Sequence, residues 1–293
     1  MLGIDLGGTA IKSALVDVNG IASEQLSTPT PQKDPEGIAS IRALAEIIQG
    51  YQEKHELLGV GLAIPGLVDP ADGISLFSGT LGWRNLEIIT KLSELVSVKV
   101  ALEHDVSAIG LAEAKIGGAA GADSAVVVGI GTALAASVII GGSVYHPHPA
   151  IGELGHTPTK NSRPCVCGLT GCLEMTASGG ALSRNYQALT GESINAVEIF
   201  KRSTDGEANA VELVDEFMDV LTTSFVFVAA LIGPDRIVIS GGVAQAGIGF
   251  IARLQRELDQ KLTIHKKPKI IQSPMDAGAG SIGAGLMAWE RFS

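Results

Sequence analysis

Twice along this chain the same layout appears: an apolar strand, a glycine turn, a second strand, a further glycine turn and a third strand. The first copy runs from Gly3 to Leu26 and the second from Ala125 to Val144. In the first, Leu2–Leu6 reads as a strand, Gly7-Gly8-Thr9 as a turn and Ala10–Val18 as the second strand, with Ile11, Leu15 and Val16 apolar. Asn19-Gly20 is a strong hairpin turn into the third strand. In the second copy Gly129-Ile130-Gly131-Thr132 and Gly141-Gly142 make the two turns. The copies share little identity, so the layout predicts two related domains, each beginning with a glycine-turned hairpin. It also excludes two nucleotide folds. A P-loop needs Gly-Lys-Ser/Thr before a helix, and a dinucleotide fingerprint needs a helix after its glycines, whereas a strand follows here.

A glycine turn of this kind still aims backbone N–H groups at phosphate oxygens. Beside the first turn, Thr9 adds a hydroxyl, Lys12 a positive charge and Asp5 a carboxylate suited to Mg²⁺. Taken alone the turn is equally a plain hairpin. The two turns, one per domain, are expected to face each other across a cleft and to hold a polyphosphate. No low-complexity linker separates the halves, which points to helices crossing the interface, a hinge and a cleft that closes.

Between the copies, Asp34-Pro35 reads as a cap residue followed by the first position of a helix. Ile38, Ile41, Ala45, Ile48 and Tyr51 carry its apolar face. Gly59–Ile64 is a buried strand ending in Pro65-Gly66, with Asp69 beyond it. Residues Ser78 to Asn85 read as a loop, in which Trp83 is core, rim or ligand platform. Val98–Leu102 is a strand leading into Glu103-His104-Asp105, and a helix follows to Ile116 before Gly117-Gly118. Asp105 thus stands where a strand ends and a helix begins. It fits a helix N-cap, and it fits a ligand site beyond the carboxyl end of a strand; one residue can do both.

All three cysteines fall between Cys165 and Cys172. Cys165, Cys167 and Cys172, with His156 upstream, supply three thiolates and one imidazole, a complete tetrahedral zinc shell. Four protein ligands leave no position for a metal-bound water, so this zinc is expected to be structural. A disulfide is the weaker reading, because the count is odd and a Cys-x-Cys pair bridges poorly. The knot would hold Glu153, His156 and Glu174 in fixed positions as a ligand-reading surface. Farther on, Gly206–Ile232 carries a long helical pattern ending at Gly233-Pro234. Ile237–Ser240 is a strand running into Gly241-Gly242-Val243, with a helix from about Gly247. Backbone N–H groups there suit a nucleotide, and they suit helix-on-strand packing equally well. Lys269–Gln272 is a last strand, and from Asp276 a Gly/Ala-rich stretch opens a terminal helix to Arg291.

Composition narrows the function classes. The 293 residues are 46% hydrophobic and 18% charged, enough for two globular domains with a sizeable core. A net charge of −10 without a basic block argues against nucleic acid as a partner. The most apolar run, Phe225–Ile232, is too short to span a bilayer. The chain enters a strand pattern at once, so neither a signal peptide nor an N-terminal DNA-binding domain is expected, and the expected location is cytoplasmic.

Four motifs together resemble those of the ROK family, named for repressors, ORFs and kinases. They are Asp5-x-Gly7-Gly8-Thr9-x-x-Lys12, Pro65-Gly66-x-x-Asp69, Gly152-Glu153-x-Gly155-His156 and Cys165-x-Cys167-Gly168-x-x-Gly171-Cys172-x-Glu174. The resemblance runs the length of the chain, with the histidine–cysteine stretch its most specific part. It implies an α/β fold of the actin-like ATPase kind, two domains of duplicated ribonuclease-H-like architecture with an interdomain cleft. The expected division is 1–105 plus 276–293 as a smaller N-terminal domain and 106–275 as a larger C-terminal one carrying the zinc stretch.

The resemblance further implies ATP as donor, catalytic Mg²⁺, structural Zn²⁺ and a homodimer or higher homo-oligomer. Asp5 would organise Mg²⁺–ATP, with Gly7, Gly8, Thr9 and Lys12 near the phosphates. Gly131 and Thr132 would form the second phosphate turn, and Gly241 and Gly242 would support the nucleotide. Asp105 would be the base that takes a proton from a sugar hydroxyl. Gly66, Thr80, His104, Glu153, His156 and Glu174 would meet the sugar, with His156 also ligating zinc. Carboxylates suit a neutral polyol and repel an anionic acceptor, so the substrate is expected to be a hexose or N-acetylhexosamine, glucose at its 6-hydroxyl first and N-acetylmannosamine next. Two positions depart from the family pattern. His104 stands where the family usually has an Asn that helps read the sugar, and it places a titratable ring beside it. The second phosphate turn, Gly131-Thr132-Ala133, is poorer in glycine. Two other functions compete: a sugar sensor acting without turnover, and a polyphosphate-using kinase, for which the chain lacks the polybasic track.

Overall fold

The computed structural model describes residues 1–275 and 278–293; Asp276 and Ala277, where the Gly/Ala-rich stretch is expected to begin, lie outside the described residues. In chain order the elements are β1 (Leu2–Leu6), β2 (Ala10–Val16), β3 (Ala22–Pro29), α1 (Ile38–Gln52), β4 (Val60–Ile64), β5 (Leu67–Asp69), β6 (Ile74–Ser78), β7 (Trp83–Leu86), α2 (Ile88–Ser93), β8 (Val100–His104) and α3 (Asp105–Ile116). There follow β9 (Ser124–Ile130), β10 (Leu134–Ile140), β11 (Ser143–Val144), α4 (Glu174–Ala177), α5 (Gly179–Thr190), α6 (Ala196–Thr204), α7 (Ala208–Leu231), β12 (Arg236–Ser240), α8 (Ile248–Lys261), β13 (Lys269–Gln272) and α9 (Ala279–Phe292).

The chain divides into two compact units. The first comprises Met1–Ile116, His146–Ala150 and Asp276–Ser293, and the second Gly117–Tyr145 and Ile151–Met275. Their main sheets have the same plan. In the first unit the strand order is β3-β2-β1-β4-β8, and in the second β11-β10-β9-β12-β13. Each begins as an antiparallel meander, and its first strand then pairs parallel with a strand reached by a crossover. A hairpin needs only a turn, whereas a parallel neighbour needs a crossover, so the glycine turns mark where each sheet starts. The matching strand orders bear out the duplication read from the glycine pattern.

β1 and β4 are buried along nearly their whole length, as parallel strands covered on both faces must be. Their continuous apolar runs follow from that. In the first unit Leu2, Ile4, Leu6, Leu62 and Ile64 join Leu44 and Ile48 of α1 in one core. Helix α9 lies against α3, β1 and β4, and Ala63, Ala108 and Ala284 make the small-residue contact that lets these backbones approach. In the second unit Phe200, Phe217 and Phe250 pack edge to face, with ring centroids 4.9–6.2 Å apart.

Several local expectations need correcting. Helix α1 starts at Ile38, with Gly37 as its N-cap residue, instead of at Asp34-Pro35. Asp34 still serves the helix, because its Oδ2 accepts the Ser40 N–H at 2.7 Å from a turn closed by Gly37 N–H to Asp34 O. Residues Ser78 to Asn85 are not all loop: β6 ends and β7 begins within them, in a three-stranded sheet β5-β6-β7. Trp83 there is core, 1% exposed, with Nε1–H donating to Asp34 O at 2.8 Å. The strand read as Val98–Leu102 runs Val100–His104. Helix α3, grouped by sequence with the second domain, belongs to the first unit, where it packs on α9. Among the described residues no helix is long and apolar enough to cross a membrane.

Candidate functional site

In the first unit, two strand ends carry the carboxylates singled out by sequence. Asp5 sits near the end of β1, opposite Lys12 of β2 in the hairpin register. The Gly7-Gly8-Thr9 turn is braced from below. Gly7 N–H donates to Ala10 O, Thr30 Oγ1 donates to Gly7 O at 2.6 Å, and Gln32 Nε2 donates to Gly8 O at 3.0 Å. Thr80 reaches the same turn: its methyl occupies the space a Cβ on Gly8 would take. Asp5 itself lies against the first turn of α9, where a side chain on Gly280 would collide with its Oδ2. Burial pushes the Asp5 carboxyl up to about 7, the charge of Asp105 adds to this, and Lys12 opposes it. A carboxyl crowded in this way by a second carboxylate is suited to a divalent cation, which removes the conflict.

Asp105 opens α3, directly after β8. Its Oδ1 accepts the Val106 N–H at 2.7 Å, the helix-start role expected of it, and lies 3.2 Å from Nε2 of His104. His104 is 4% exposed. The neighbouring Glu103 Oε1 accepts the backbone N–H of His104 at 2.8 Å and meets His146 Nδ1 at 3.2 Å. Gly66, with φ +101°, turns the chain from β4 into β5 where a Cβ would strike the Phe77 carbonyl.

In the second unit the Gly152-Glu153-Leu154-Gly155-His156 run docks on β10 through its two glycines. Gly152 has φ +95°, and its carbonyl accepts the Ala136 N–H at 2.7 Å. A Cβ on Gly152 would overlap Ala136 O, and one on Gly155 would overlap Leu134 O. The spacing of the two glycines is therefore the spacing of two carbonyls along one strand, and it presents Glu153 and His156 from a fixed 3-10 turn, Leu154–His156. Glu174, at the start of α4, is tied to the same strand, its Oε2 accepting Leu134 N–H at 2.9 Å.

His156, Cys165, Cys167 and Cys172 bring one ligand atom each to within 4.8 Å of one another. His156 Nδ1 lies 3.5 Å from Cys165 Sγ, and Cys167 Sγ lies 3.5 Å from Cys172 Sγ. Ligands about 2.0–2.3 Å from a tetrahedral zinc stand roughly 3.3–3.8 Å apart; the two 3.5 Å pairs match that spacing, and the set as a whole, within 4.8 Å, is compatible with such an ion. Nε2 of His156 faces away from the sulfurs, 3.8 Å from Glu153 Oε2. Burial pushes the Cys172 thiol up to about 12, with the Cys167 and Cys165 sulfurs adding to it. Burial raises the Cys165 thiol too, whereas at Cys167 burial is outweighed by hydrogen bonds from the Leu169 N–H and the neighbouring thiols, which lower it; a bound cation would hold all three as thiolates. Arg163 anchors the loop to α7 through a two-pronged pair with Glu216 at 2.9 Å.

The Gly131-Thr132 turn between β9 and β10 leaves open space around Gly131. Gly131 O accepts the Gly179 N–H at 2.8 Å, and a Cβ on Gly180 would press on Thr132 O. Gly241, at the end of β12 with Gly242 following, lies on the backbone of Ile130. The structure thus gathers Asp5, Lys12, the first turn, Thr80, His104 and Asp105 in one unit. In the other it gathers Gly131, Thr132, Gly241 and, around the cysteine knot, Glu153, His156 and Glu174. Gly280, the Gly179-Gly180 pair and the Glu103–His146 contact escaped the sequence reading. Only Gly179-Gly180 had a local signal, since Ser178 before it caps α5 by accepting Ala181 N–H.

Two sheets of matching order, each opened by a glycine-turned hairpin, place the protein in the actin-like ATPase class, with duplicated ribonuclease-H-like units. The chain belongs to the ROK family, whose profile matches residues 1–291. It is 29% identical over 316 residues to a glucokinase of Thermotoga maritima, covering 100% of this chain and 98% of that one. It is 26% identical over 300 residues to an N-acetyl-D-glucosamine kinase of Vibrio atlanticus, covering 97% and 98%. Among solved structures it resembles a ROK family glucokinase from Streptomyces griseus in complex with glucose and AMPPNP, with a TM-score of 0.85, 25% identity and 99% coverage of each chain.

Proposed function

We propose that this chain transfers the γ-phosphoryl group of ATP to a neutral hexose, with the 6-hydroxyl of glucose as the first acceptor to test and N-acetylmannosamine as the next. It is an ATP-dependent sugar kinase in this reading, as its relatives' names indicate for them. The observation that carries the reading is the pair of carboxylates at two strand ends of one unit, close enough that the charge of Asp105 opposes ionisation of Asp5. Phosphoryl transfer asks for alignment, charge neutralisation and one proton acceptor.

Asp105 takes the hydroxyl proton as the oxygen–phosphorus bond forms. Its Oδ1 already accepts the Val106 N–H, and its other oxygen is the one offered to this task. Asp5 would hold Mg²⁺, which with ATP supplies neutralisation of the phosphate charge. Gly7, Gly8, Thr9 and Lys12, and in the second unit Gly131, Thr132, Gly241 and Gly242, offer backbone N–H groups, a hydroxyl and one cation to the nucleotide. Glu153, His156 and Glu174 accept from and donate to the sugar's hydroxyls, with Gly66 and Thr80 as further sugar contacts. Zn²⁺ on His156, Cys165, Cys167 and Cys172 would fix the turn that carries Glu153 and His156.

The test is ADP release with Mg²⁺–ATP over glucose, mannose, fructose, allose, N-acetylglucosamine and N-acetylmannosamine. One clear acceptor is expected, and Asp105→Asn should lower its kcat by about 10²–10⁴ while sugar binding by calorimetry stays within a few-fold. Sugar binding with no ADP release from any of the six would overturn the kinase reading in favour of a sensor.

A further inference from the structure

We infer that His104 acts on Asp105 and not on the sugar: it is a positioning residue that fixes which oxygen of the base faces the substrate. The inference rests on the proposed role of Asp105. His104 replaces a residue expected to read the sugar, yet its side chain is 6% exposed and its Nε2 lies 3.2 Å from Asp105 Oδ1. That same oxygen accepts the Val106 N–H at 2.7 Å. The Val106 N–H bond and the His104 ring contact thus both fall on the same oxygen of the carboxylate. Oδ1 is thereby engaged, and among the described residues Oδ2 has no hydrogen-bond donor. The proton of the sugar hydroxyl goes to Oδ2.

The ring has little freedom to do otherwise. His104 is the last residue of β8, in register with Ile64 of β4. Its backbone N–H is held by Glu103 Oε1 at 2.8 Å, and the same oxygen meets His146 Nδ1 at 3.2 Å. A strand end clamped in this way presents Nε2 from a nearly fixed point. With only the Val106 N–H to hold it, the Asp105 carboxylate can rotate about its Cβ–Cγ bond and exchange its two oxygens. A misplaced base costs turnover and leaves ground-state sugar binding alone.

The experiment compares His104→Gln with His104→Phe on the acceptor found above, measuring kcat and KM by ADP release and sugar Kd by calorimetry. Gln keeps a neutral N–H donor at similar reach. Phe keeps the buried ring and removes the donor. Phe should lower kcat by about 10- to 100-fold with Kd changed less than about threefold, and Gln should retain most of kcat. Unchanged kcat in Phe, or a Kd rise in Phe that matches the loss in kcat/KM, overturns the inference, the second outcome making His104 a sugar reader. Equal losses in Gln and Phe also overturn it, since a ring-packing role would produce them. Asp105→Asn run alongside separates the two levels. Full turnover in that variant removes the base assignment itself, whereas loss in Asp105→Asn with none in His104→Phe removes only the positioning role.

Discussion

Replacing Asp5 by Asn should make the protein more stable and at the same time inactive, and the gain should depend on pH. Burial, with Asp105 next, raises the Asp5 carboxyl from 3.8 to about 7. A tenfold change in proton affinity corresponds to about 1.4 kcal/mol, so the ionised form costs the folded state at most about 4 kcal/mol. Asp5 retains some exposure to solvent, and screening brings a realistic value to about 1–3 kcal/mol. The sign follows from proton linkage. A carboxyl whose folded value lies above its unfolded value favours the fold fully below about pH 4, and that favour is lost as pH rises towards 7. Asn carries no such cost. The stability difference between the variant and the natural chain should therefore be small near pH 4, grow through pH 5 and 6, and level off above pH 7. Urea unfolding followed by tryptophan fluorescence suits the measurement, because Trp83 and Trp289 both belong to the first unit. Mg²⁺ with ATP should stabilise the natural chain and leave the variant unmoved, and the variant's kcat should fall by at least about 10²-fold. A variant less stable than the natural chain at pH 8 without Mg²⁺, or a difference that stays flat with pH, would refute the reasoning.

Three further outcomes follow from the second unit. Metal analysis of the purified protein should find about one zinc per chain, and a strong chelator or Cys172→Ser should lower the melting temperature and weaken sugar binding; metal-free protein with unchanged melting would remove the zinc. Gly152→Ala puts a Cβ into the Ala136 carbonyl at φ +95°, so a loss of about 2 kcal/mol or more in chemical denaturation is expected, together with weaker sugar binding. Gly131→Ala meets only open space. Its stability should stay within about 0.5 kcal/mol while the KM for ATP rises, and a KM unchanged from the natural chain would take Gly131 out of the phosphate turn.

What can be read from the sequence is whatever short-range chemistry records. The strand–glycine–strand order marks the start of both sheets, because a hairpin is a local event whose turn residues are next to each other in the chain. The histidine–cysteine cluster is equally legible: a Cys-x-Cys pair, a third cysteine five residues on and one histidine are four potential ligands read directly from the chain, and the fold brings them together. Less legible are features decided by partners far away in sequence. Trp83 leaves three readings open, and only its burial and its bond to Asp34 O select one. The start of α1 is misplaced by sequence because Asp34 caps from beyond a turn, a geometry that the Asp-Pro signal does not distinguish from direct capping. The Gly152 and Gly155 motif is recognisable by its letters, while its physical cause, two carbonyls of β10, lies about twenty residues upstream.

His104 shows the same limit at the site itself. A substitution for an expected sugar-reading Asn suggests altered sugar contact, since sequence presents position and residue type together but not direction. In the fold the ring is buried and lies 3.2 Å from the neighbouring carboxylate, so if Asp105 is the base its effect passes to the sugar through that group. A substitution at position 104 would then act on the placement of the base before it acts on recognition, and a kcat effect separated from a Kd effect is the form in which that difference can be measured.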